Sequence, residues 1–318
     1  MNIRKPIFWD QKKINFFTYI LFPFTFIIRV NNFFIKFLPK KKFDQVKTIC
    51  VGNIYLGGTG KTPTSLKLYQ LLKAKKYSVA IGKKYYPKQK DEQILLENKS
   101  NFISAKNRKE IIKLAIEKGH EIIIFDDGLQ ERMFDFDIKF VCFDSKIWLG
   151  NGHLIPSGPL RENINSLKKY DGVFLKNTNE NTNLINIISE IKKINPQTKI
   201  FISNVKIKNI SKFNLSDNFF IFSGIGNSTS FKEILVNNRF NIIREKIFPD
   251  HYEYEDKDLY KILEISKKHN LKIITTEKDY IKIPNHFKNE INFVEIVLKI
   301  DEEEKLIKFI ETKFNETN

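Results

Sequence analysis

Gly57-Gly58-Thr59-Gly60-Lys61-Thr62-Pro63 decides the reading of this chain. The seven residues follow an apolar run, Thr48-Ile49-Cys50-Val51, and precede a helical pattern from Thr64 to Lys75. Strand, glycine-rich turn, Gly-Lys-Thr and helix are the order in which a chain builds a phosphate cradle. Glycines let backbone N–H groups converge on an anion, and the helix N-terminus adds its partial positive charge. Lys61 is then placed to reach the β- and γ-phosphates of a nucleotide, and the Thr62 hydroxyl to hold Mg²⁺.

The match is incomplete in an informative way. The full loop pattern begins with a glycine five residues before Gly60, and that position is Tyr55. An ordinary glycine-rich turn before a helix is the alternative; the strand–turn–helix context favours the cradle. Leu56 stands where a deviant form of the loop, found in partitioning and cell-division ATPases, carries an extra lysine, so that group is disfavoured. The expected nucleotide contacts are Tyr55, Leu56, Gly57, Gly58, Thr59, Gly60, Lys61 and Thr62.

A length of 318 residues with 42% hydrophobic residues suits two modest domains with real cores. Two cysteines, Cys50 and Cys142, lie in strand-like runs and read as buried thiols of a reducing compartment, not as a disulfide framework or zinc site. The net charge of +17 draws the chain towards polyanions. Lysine is spread throughout, and no helix-turn-helix, zinc-finger or RNA-binding aromatic signature is present, so nucleic acid is not the expected partner.

The N-terminus is a separate object. Phe16 to Ile28 is almost wholly apolar, Arg29 interrupts it, and Phe33-Phe34-Ile35-Lys36-Phe37-Leu38 resumes it. The run is shorter than the roughly 20 residues a spanning helix needs, and Pro23 lies inside it. Lys12, Lys13, Lys36, Lys40, Lys41 and Lys42 flank it. Aromatics with a basic border describe a segment lying in a membrane interface; a helix on the protein's own core and a true span are the alternatives.

From Lys47 onward strands and helices alternate. Strands are expected at Val46–Asn53, Ser78–Gly82, Glu121–Phe125, Lys139–Phe143, Gly172–Leu175, Lys199–Ser203, Phe219–Ser223, Ile242–Ile247 and Lys272–Thr276. Helices are expected at Arg108–Lys118, Phe231–Val236, Lys257–His269 and Glu303–Phe314. This alternation predicts an α/β fold of the P-loop NTPase type, a parallel sheet covered by helices. The expected organisation is a membrane-associated segment at 1–42, a P-loop core at 43–180 and a second, smaller α/β domain at 181–318, with the Asn-rich stretch Asn177–Asn186 near the division.

Three further clusters carry polar chemistry. Asp126-Asp127 close a buried strand, where ligands bind in open α/β sheets, and beside a phosphate cradle their partner is Mg²⁺; capping of the next turn is the alternative. The loop Gly150 to Glu162 ends on Arg161, whose planar guanidinium suits a γ-phosphate. His251 alone reads as structural, and Asp91-Glu92 as part of a solvated charge run. Spacing alone does not bring Asp91 and His251 together.

The set of motifs resembles the tetraacyldisaccharide 4'-kinase family of lipid A biosynthesis. The matching pieces are GNIYLGGTGKTP at Gly52–Pro63, KDEQILL at Lys90–Leu96, DDGLQ at Asp126–Gln130, GNGHLIPSGPLRE at Gly150–Glu162, FSGIGN at Phe222–Asn227, FPDHY at Phe248–Tyr252 and TTEKD at Thr275–Asp279. The family shares the absence of a first loop glycine. The resemblance implies a kinase that uses ATP and Mg²⁺ to phosphorylate the 4'-hydroxyl of an acylated glucosamine disaccharide 1-phosphate. It implies a place on the cytoplasmic face of the bacterial inner membrane and no obligate protein partner. It maps the base on the sugar hydroxyl to Asp91 and its assistant to His251, and it adds Glu92, Gln130, Arg161 and Glu162 as active-site positions. A membrane-recruited P-loop ATPase acting as a switch or scaffold is the competing expectation. Two departures stand out: the family's Ser-Arg-Gly-Tyr segment is Gly82-Lys83-Lys84-Tyr85 here, and the histidine after its DDGLQ is Glu131.

Overall fold

The computed structural model describes residues 6–11, 15–28, 30, 40–131, 133–177 and 184–316. Contacts divide the chain into two compact units, Tyr86–Lys99 with Val205–Leu298, and Ile3–Tyr85 with Ser100–Asn204 and Lys299–Asn318. The grouping follows packing, not chain order. The segment Tyr86–Lys99 leaves the first half of the chain to pack with the second, and the final helix returns to the first. A division at residue 180 does not describe these groupings, because sequence runs carry no signal of which sheet a crossing helix joins. Residues 178–183 of the Asn-rich stretch lie outside the described residues, as do Lys12, Lys13, Arg29 and the 31–39 segment.

The larger unit is built on an eight-stranded sheet of order β12-β7-β6-β5-β1-β4-β2-β3. Its strands are β1 Lys47–Gly52, β2 Val79–Lys84, β3 Phe102–Ala105, β4 Ile122–Asp126, β5 Ile138–Asp144, β6 Gly172–Asn177, β7 Lys199–Ile207 and β12 Ile296–Ile300. β1 pairs in parallel with β4 and β5, and β2 pairs in parallel with β3 and β4. β1 is therefore central, and Ile49, Cys50 and Val51 are fully buried on it. An apolar run without alternation is what a strand covered on both faces requires. Helix α2, Lys61–Ala74, follows β1, and α4, Arg108–Glu117, follows β3. Cys50 and Cys142 are free, buried thiols, and burial pushes both up in pKa, Cys142 to about 12.

The smaller unit carries a four-stranded sheet of order β11-β10-β8-β9, with β8 Asn218–Ser223, β9 Asn241–Ile247, β10 Lys272–Thr276 and β11 Ile291–Val294. All its described pairings are parallel. Helices α6 Ser228–Asn237, α7 Asp256–Lys268 and α8 Glu277–Tyr280 connect these strands. Residues Lys90–Lys99 form helix α3. Its Asp91 is only 4% exposed, so the expected solvated charge run is half a buried site. α5 Leu184–Ile194, β3, β11 and β12 were also not apparent from periodicity, being short or flanked by polar sequence.

The N-terminal segment belongs to the larger unit. Helix α1 spans Phe16–Leu21, capped by the Asn15 side chain on the Thr18 N–H, and a 3-10 turn carries Pro23. Its sidedness is inverted: Thr18 and Thr25 are buried, whereas Phe16, Phe17, Tyr19, Ile20, Phe24, Phe26 and Ile27 are at least half exposed. The buried threonine is held from the 150s loop. Ser157 Oγ donates to the Thr18 carbonyl at 2.7 Å, and the Asn151 N–H donates to the Trp9 carbonyl at 2.8 Å. Among the described residues no helix is long and apolar enough to cross a membrane.

Candidate active site

In the larger unit the glycine-rich loop lies between β1 and α2. Gly60 takes a φ of +88° and Gly57 one of +150°, conformations that side chains resist. Asn53, fully buried, donates from Nδ2 to the Gly57 carbonyl at 3.1 Å and to Thr59 Oγ1 at 3.0 Å, and so fixes the loop's inner edge. The loop's outer edge is braced by the 150s segment. The Leu56 N–H donates to the Pro159 carbonyl at 2.8 Å, and the Arg161 N–H to the Ile54 carbonyl at 2.7 Å.

This pairing explains Tyr55. Its ring lies against Gly57, where a Cβ would come within 3.1 Å of it, and packs with Leu154 and Leu160, and its hydroxyl donates to the Asp10 carboxylate. The position that usually carries glycine here anchors the loop to the N-terminal segment.

Behind the loop, Asp126 at the end of β4 Ile122–Asp126 is completely buried. Thr62 Oγ1 donates to its Oδ2 at 2.9 Å, Ser65 Oγ to its Oδ1 at 3.3 Å, and the Lys83 ammonium lies 2.9 Å from Oδ2. Lys83, one of the two departures, is thus the charge partner of the buried aspartate. Asp127 takes a φ of +70° and turns its carboxylate outward, about one-third exposed. Burial would raise its pKa, but Lys61, Arg161, Lys83 and Arg108 outweigh that and hold it below the usual carboxylate range. Arg161 Nη1 stands 3.5 Å from Asp127 Oδ2 and 3.4 Å from Gln130 Oε1. Gln130 Nε2 donates to Glu162 Oε1 at 3.0 Å, and the Tyr170 hydroxyl donates to the same oxygen at 3.0 Å. The second departure, Glu131, binds Arg108 at 3.0 Å, and Arg108 Nη2 donates to the Asp127 carbonyl at 2.6 Å. Arg108 had no motif to announce it, and Asn53 and Lys83 lay inside quoted segments without an assigned role; the roles of all three arise from tertiary placement.

The smaller unit brings together Asp91, Glu92 and His251. His251 follows β9 in a turn with φ +57°, held by its N–H on the Gly224 carbonyl at 3.1 Å. Its Nδ1 lies 3.0 Å from Asp91 Oδ1 and 3.1 Å from Oδ2, and Oδ1 also accepts the Glu92 N–H at 2.9 Å. Lys278 of α8 binds Glu92 Oε1 at 3.0 Å and lies 3.5 Å from Asp91 Oδ2. Burial would raise the Asp91 pKa; the His251 hydrogen bond, Lys278, the His251 charge and Lys282 together bring it below the usual range. These groups gather at the carboxyl ends of β8, β9 and β10, where open parallel sheets bind ligands.

The chain matches the Tetraacyldisaccharide-1-P 4'-kinase family profile over residues 17–315. The chain belongs to the tetraacyldisaccharide 4'-kinase family. It is 45% identical to the tetraacyldisaccharide 4'-kinase of Pelagibacter ubique over 318 residues, covering all of both chains. It is 36% identical to that of Rickettsia akari, over 95% of this chain and 94% of the relative. Among solved structures it resembles LpxK of Aquifex aeolicus crystallised with ATP, at 25% identity and a TM-score of 0.69, over 93% of this chain and 99% of that one. In this kinase family the fold expectation, a parallel α/β sheet of P-loop type, holds.

Proposed function

We propose that the protein transfers the γ-phosphate of ATP to the 4'-hydroxyl of a tetraacyldisaccharide 1-phosphate, giving lipid IVA. The observation that carries this reading is family membership over nearly the whole chain, joined to a glycine loop braced on both edges. In this reading the Gly57–Thr62 backbone and Lys61 cradle the nucleotide phosphates, and Tyr55 and Leu56 hold the loop to its surroundings. Arg161 leaves Asp127 to pair with the γ-phosphate, while Gln130 and Glu162 hold it in place. Glu92 contributes by fixing the Asp91 turn. The Asp91–His251 pair accepts the sugar hydroxyl's proton. The hydroxyl oxygen then bonds to phosphorus, the bond to the β-phosphate oxygen breaks, and ADP leaves.

The donor set suits Mg²⁺. Thr62 gives its hydroxyl hydrogen to Asp126, which leaves its oxygen lone pairs for a cation. Asp127 adds an ionised carboxylate. Among the described residues no group of three or more His, Cys, Asp or Glu is placed to hold a metal. A cation that takes only one or two protein oxygens and completes its shell from phosphate and water is Mg²⁺. Thr62 and Asp127 would hold it, with Asp126 behind Thr62; bound there, it offsets charge on the phosphate oxygens.

An acylated substrate stays in the bilayer, since each CH₂ drawn into water costs about 0.8 kcal/mol. The exposed phenylalanine face of residues 16–27 supports attachment to the inner-membrane surface at its cytoplasmic side, where ATP is found. No observation favours the switch or scaffold reading. The test is transfer of label from γ-³²P-ATP to the disaccharide lipid. Transfer by the wild type and its loss in Lys61→Ala are expected; ATP hydrolysis without lipid labelling would overturn the reading.

A further inference from the structure

Two lysines approach Asp91, and they differ in what else they hold. Lys282 binds Asp279 at 2.8 Å and reaches Asp91 Oδ2 only at 3.9 Å. Asp279 in turn accepts the Gly224 N–H at 3.0 Å and the Thr276 hydroxyl at 2.7 Å, so Lys282 is tied into the sheet's framework. Its ammonium also lies 5.1 Å from the Tyr254 ring centroid. Lys278 has no such duty. Its described partners are Glu92 at 3.0 Å, Asp91 at 3.5 Å and Asp250 at 3.7 Å, all carboxylates at the His251 turn or the Asp91 turn. Nor is it needed to join α3 to α8. Lys99 already does so, binding Glu277 at 2.6 Å and Glu295 at 3.2 Å.

Three carboxylates and one histidine crowd into this corner, and without a cation they would repel. A like charge beside a carboxylate favours its neutral form, and an opposite charge favours the ionised form. Lys278 is 17% exposed in its side chain, so water screens it weakly. Burial alone would lower its pKa; Glu92, Asp91 and Asp250 more than offset this and keep it charged.

We propose that Lys278 is a positioning residue for the phosphoryl acceptor: its ammonium holds Asp91 ionised and its Glu92 contact fixes the turn that aims Asp91 at His251. The proposal rests on the kinase reading. When the sugar hydroxyl loses its proton, that proton enters the Asp91–His251 pair, and the pair takes it up only if the carboxylate arrives charged. The groups facing Asp91 are His251 and Asp250 from the turn after β9, Lys278, Asp279 and Lys282 from α8 and the residues after it, and Glu92 from its own helix. Of these, Lys278 is the cation whose removal leaves the framework contacts intact.

The experiment uses the full chain, γ-³²P-ATP and the tetraacyldisaccharide 1-phosphate in detergent micelles, with kcat and KM followed from about pH 5.5 to 9. Lys278→Met is expected to lower kcat at neutral pH by roughly ten- to a hundredfold, the scale of a misplaced reacting group. The acid limb of the kcat profile moves to higher pH, so the deficit is greater at low pH than at high. KM for ATP stays within about twofold, because transition-state positioning and not ground-state binding is lost. Lys278→Arg restores most of kcat and the wild-type limb. Lys278→Gln, which keeps a donor for Glu92 without the charge, shifts the limb as Lys278→Met does and covers the case in which that variant misfolds. A deficit equal at every pH, an unmoved limb in both uncharged variants, or failure of Lys278→Arg to restore it overturns the proposal. A wild-type protein that labels no lipid overturns the kinase reading instead.

Discussion

Replacing Lys83 by Met isolates the charge buried behind the phosphate loop. Lys83 and Asp126 lie 2.9 Å apart with side chains 5% and 0% exposed. At an effective dielectric of about 20 the Coulomb attraction at this distance is roughly 6 kcal/mol. Taking both charges out of water costs several kcal/mol per ion, so the intact pair is close to neutral for stability. Removing one member is different, since it leaves Asp126 buried without a counter-charge, at a cost of about 3–5 kcal/mol. Thr62 and Ser65 still donate to Asp126, which puts the expected loss near the lower end, about 3 kcal/mol. The assay is urea unfolding followed by circular dichroism, for Lys83→Met, Asp126→Asn and the double variant. The double variant should be more stable than the sum of the single losses predicts by about 2 kcal/mol or more, because it leaves no orphaned charge. A single-variant loss under about 1 kcal/mol, or strictly additive losses, would refute the reasoning.

Other expectations follow from the same geometry. Asp91→Asn should lower lipid phosphorylation by about 10²-fold or more, measured by label transfer, and should also lower the urea midpoint at neutral pH, because the ion pairs of the buried carboxylate are lost. The depressed Asp91 pKa contributes stability that is complete above the ordinary aspartate value of 3.8 and is lost as pH falls through the folded value. In His251→Phe the onset of acid unfolding should therefore move to higher pH, and an unchanged onset would count against the contact. Gly150 has φ +60°, and a Cβ there would overlap the Trp9 carbonyl oxygen. Gly150→Ala should therefore lower the thermal midpoint and free the N-terminal segment to proteolysis. Phe17→Asp with Phe26→Asp should weaken sedimentation with anionic vesicles by about tenfold or more, as two apolar side chains leave the interface. Unaltered binding would remove the exposed phenylalanine face from the membrane account.

The phosphate loop was legible because its chemistry is local. A strand, the turn from Gly57 to Gly60 and the helix opened by Lys61 are contiguous, and the structure folds them as such. Strands β1, β4 and β8 were legible for the same reason, as unbroken apolar runs. The Asp91–His251 contact was not, since 160 residues separate the pair and only the packing of α3 onto the smaller sheet joins them. Resemblance to a family supplied that pairing; spacing could not. Lys83 shows the converse. It stood out as a departure from the family pattern, yet burial against Asp126 makes it a functional neighbour of Thr62, an outcome that depends on β2 and β4 being adjacent strands. Tyr55 likewise looked like a defect in the loop and is an anchor for it, because its partner Asp10 lies in a segment read for its apolar run and basic border, not for contacts with the loop.

The most direct test locates the new phosphate. Wild-type protein is incubated with MgATP and the tetraacyldisaccharide 1-phosphate, and the lipid product is examined by ¹H–³¹P correlation spectroscopy. The account predicts a second phosphate coupled to the proton on C4' of the distal glucosamine. A lipid recovered unchanged while ATP is consumed, or a phosphate on another hydroxyl, would contradict it.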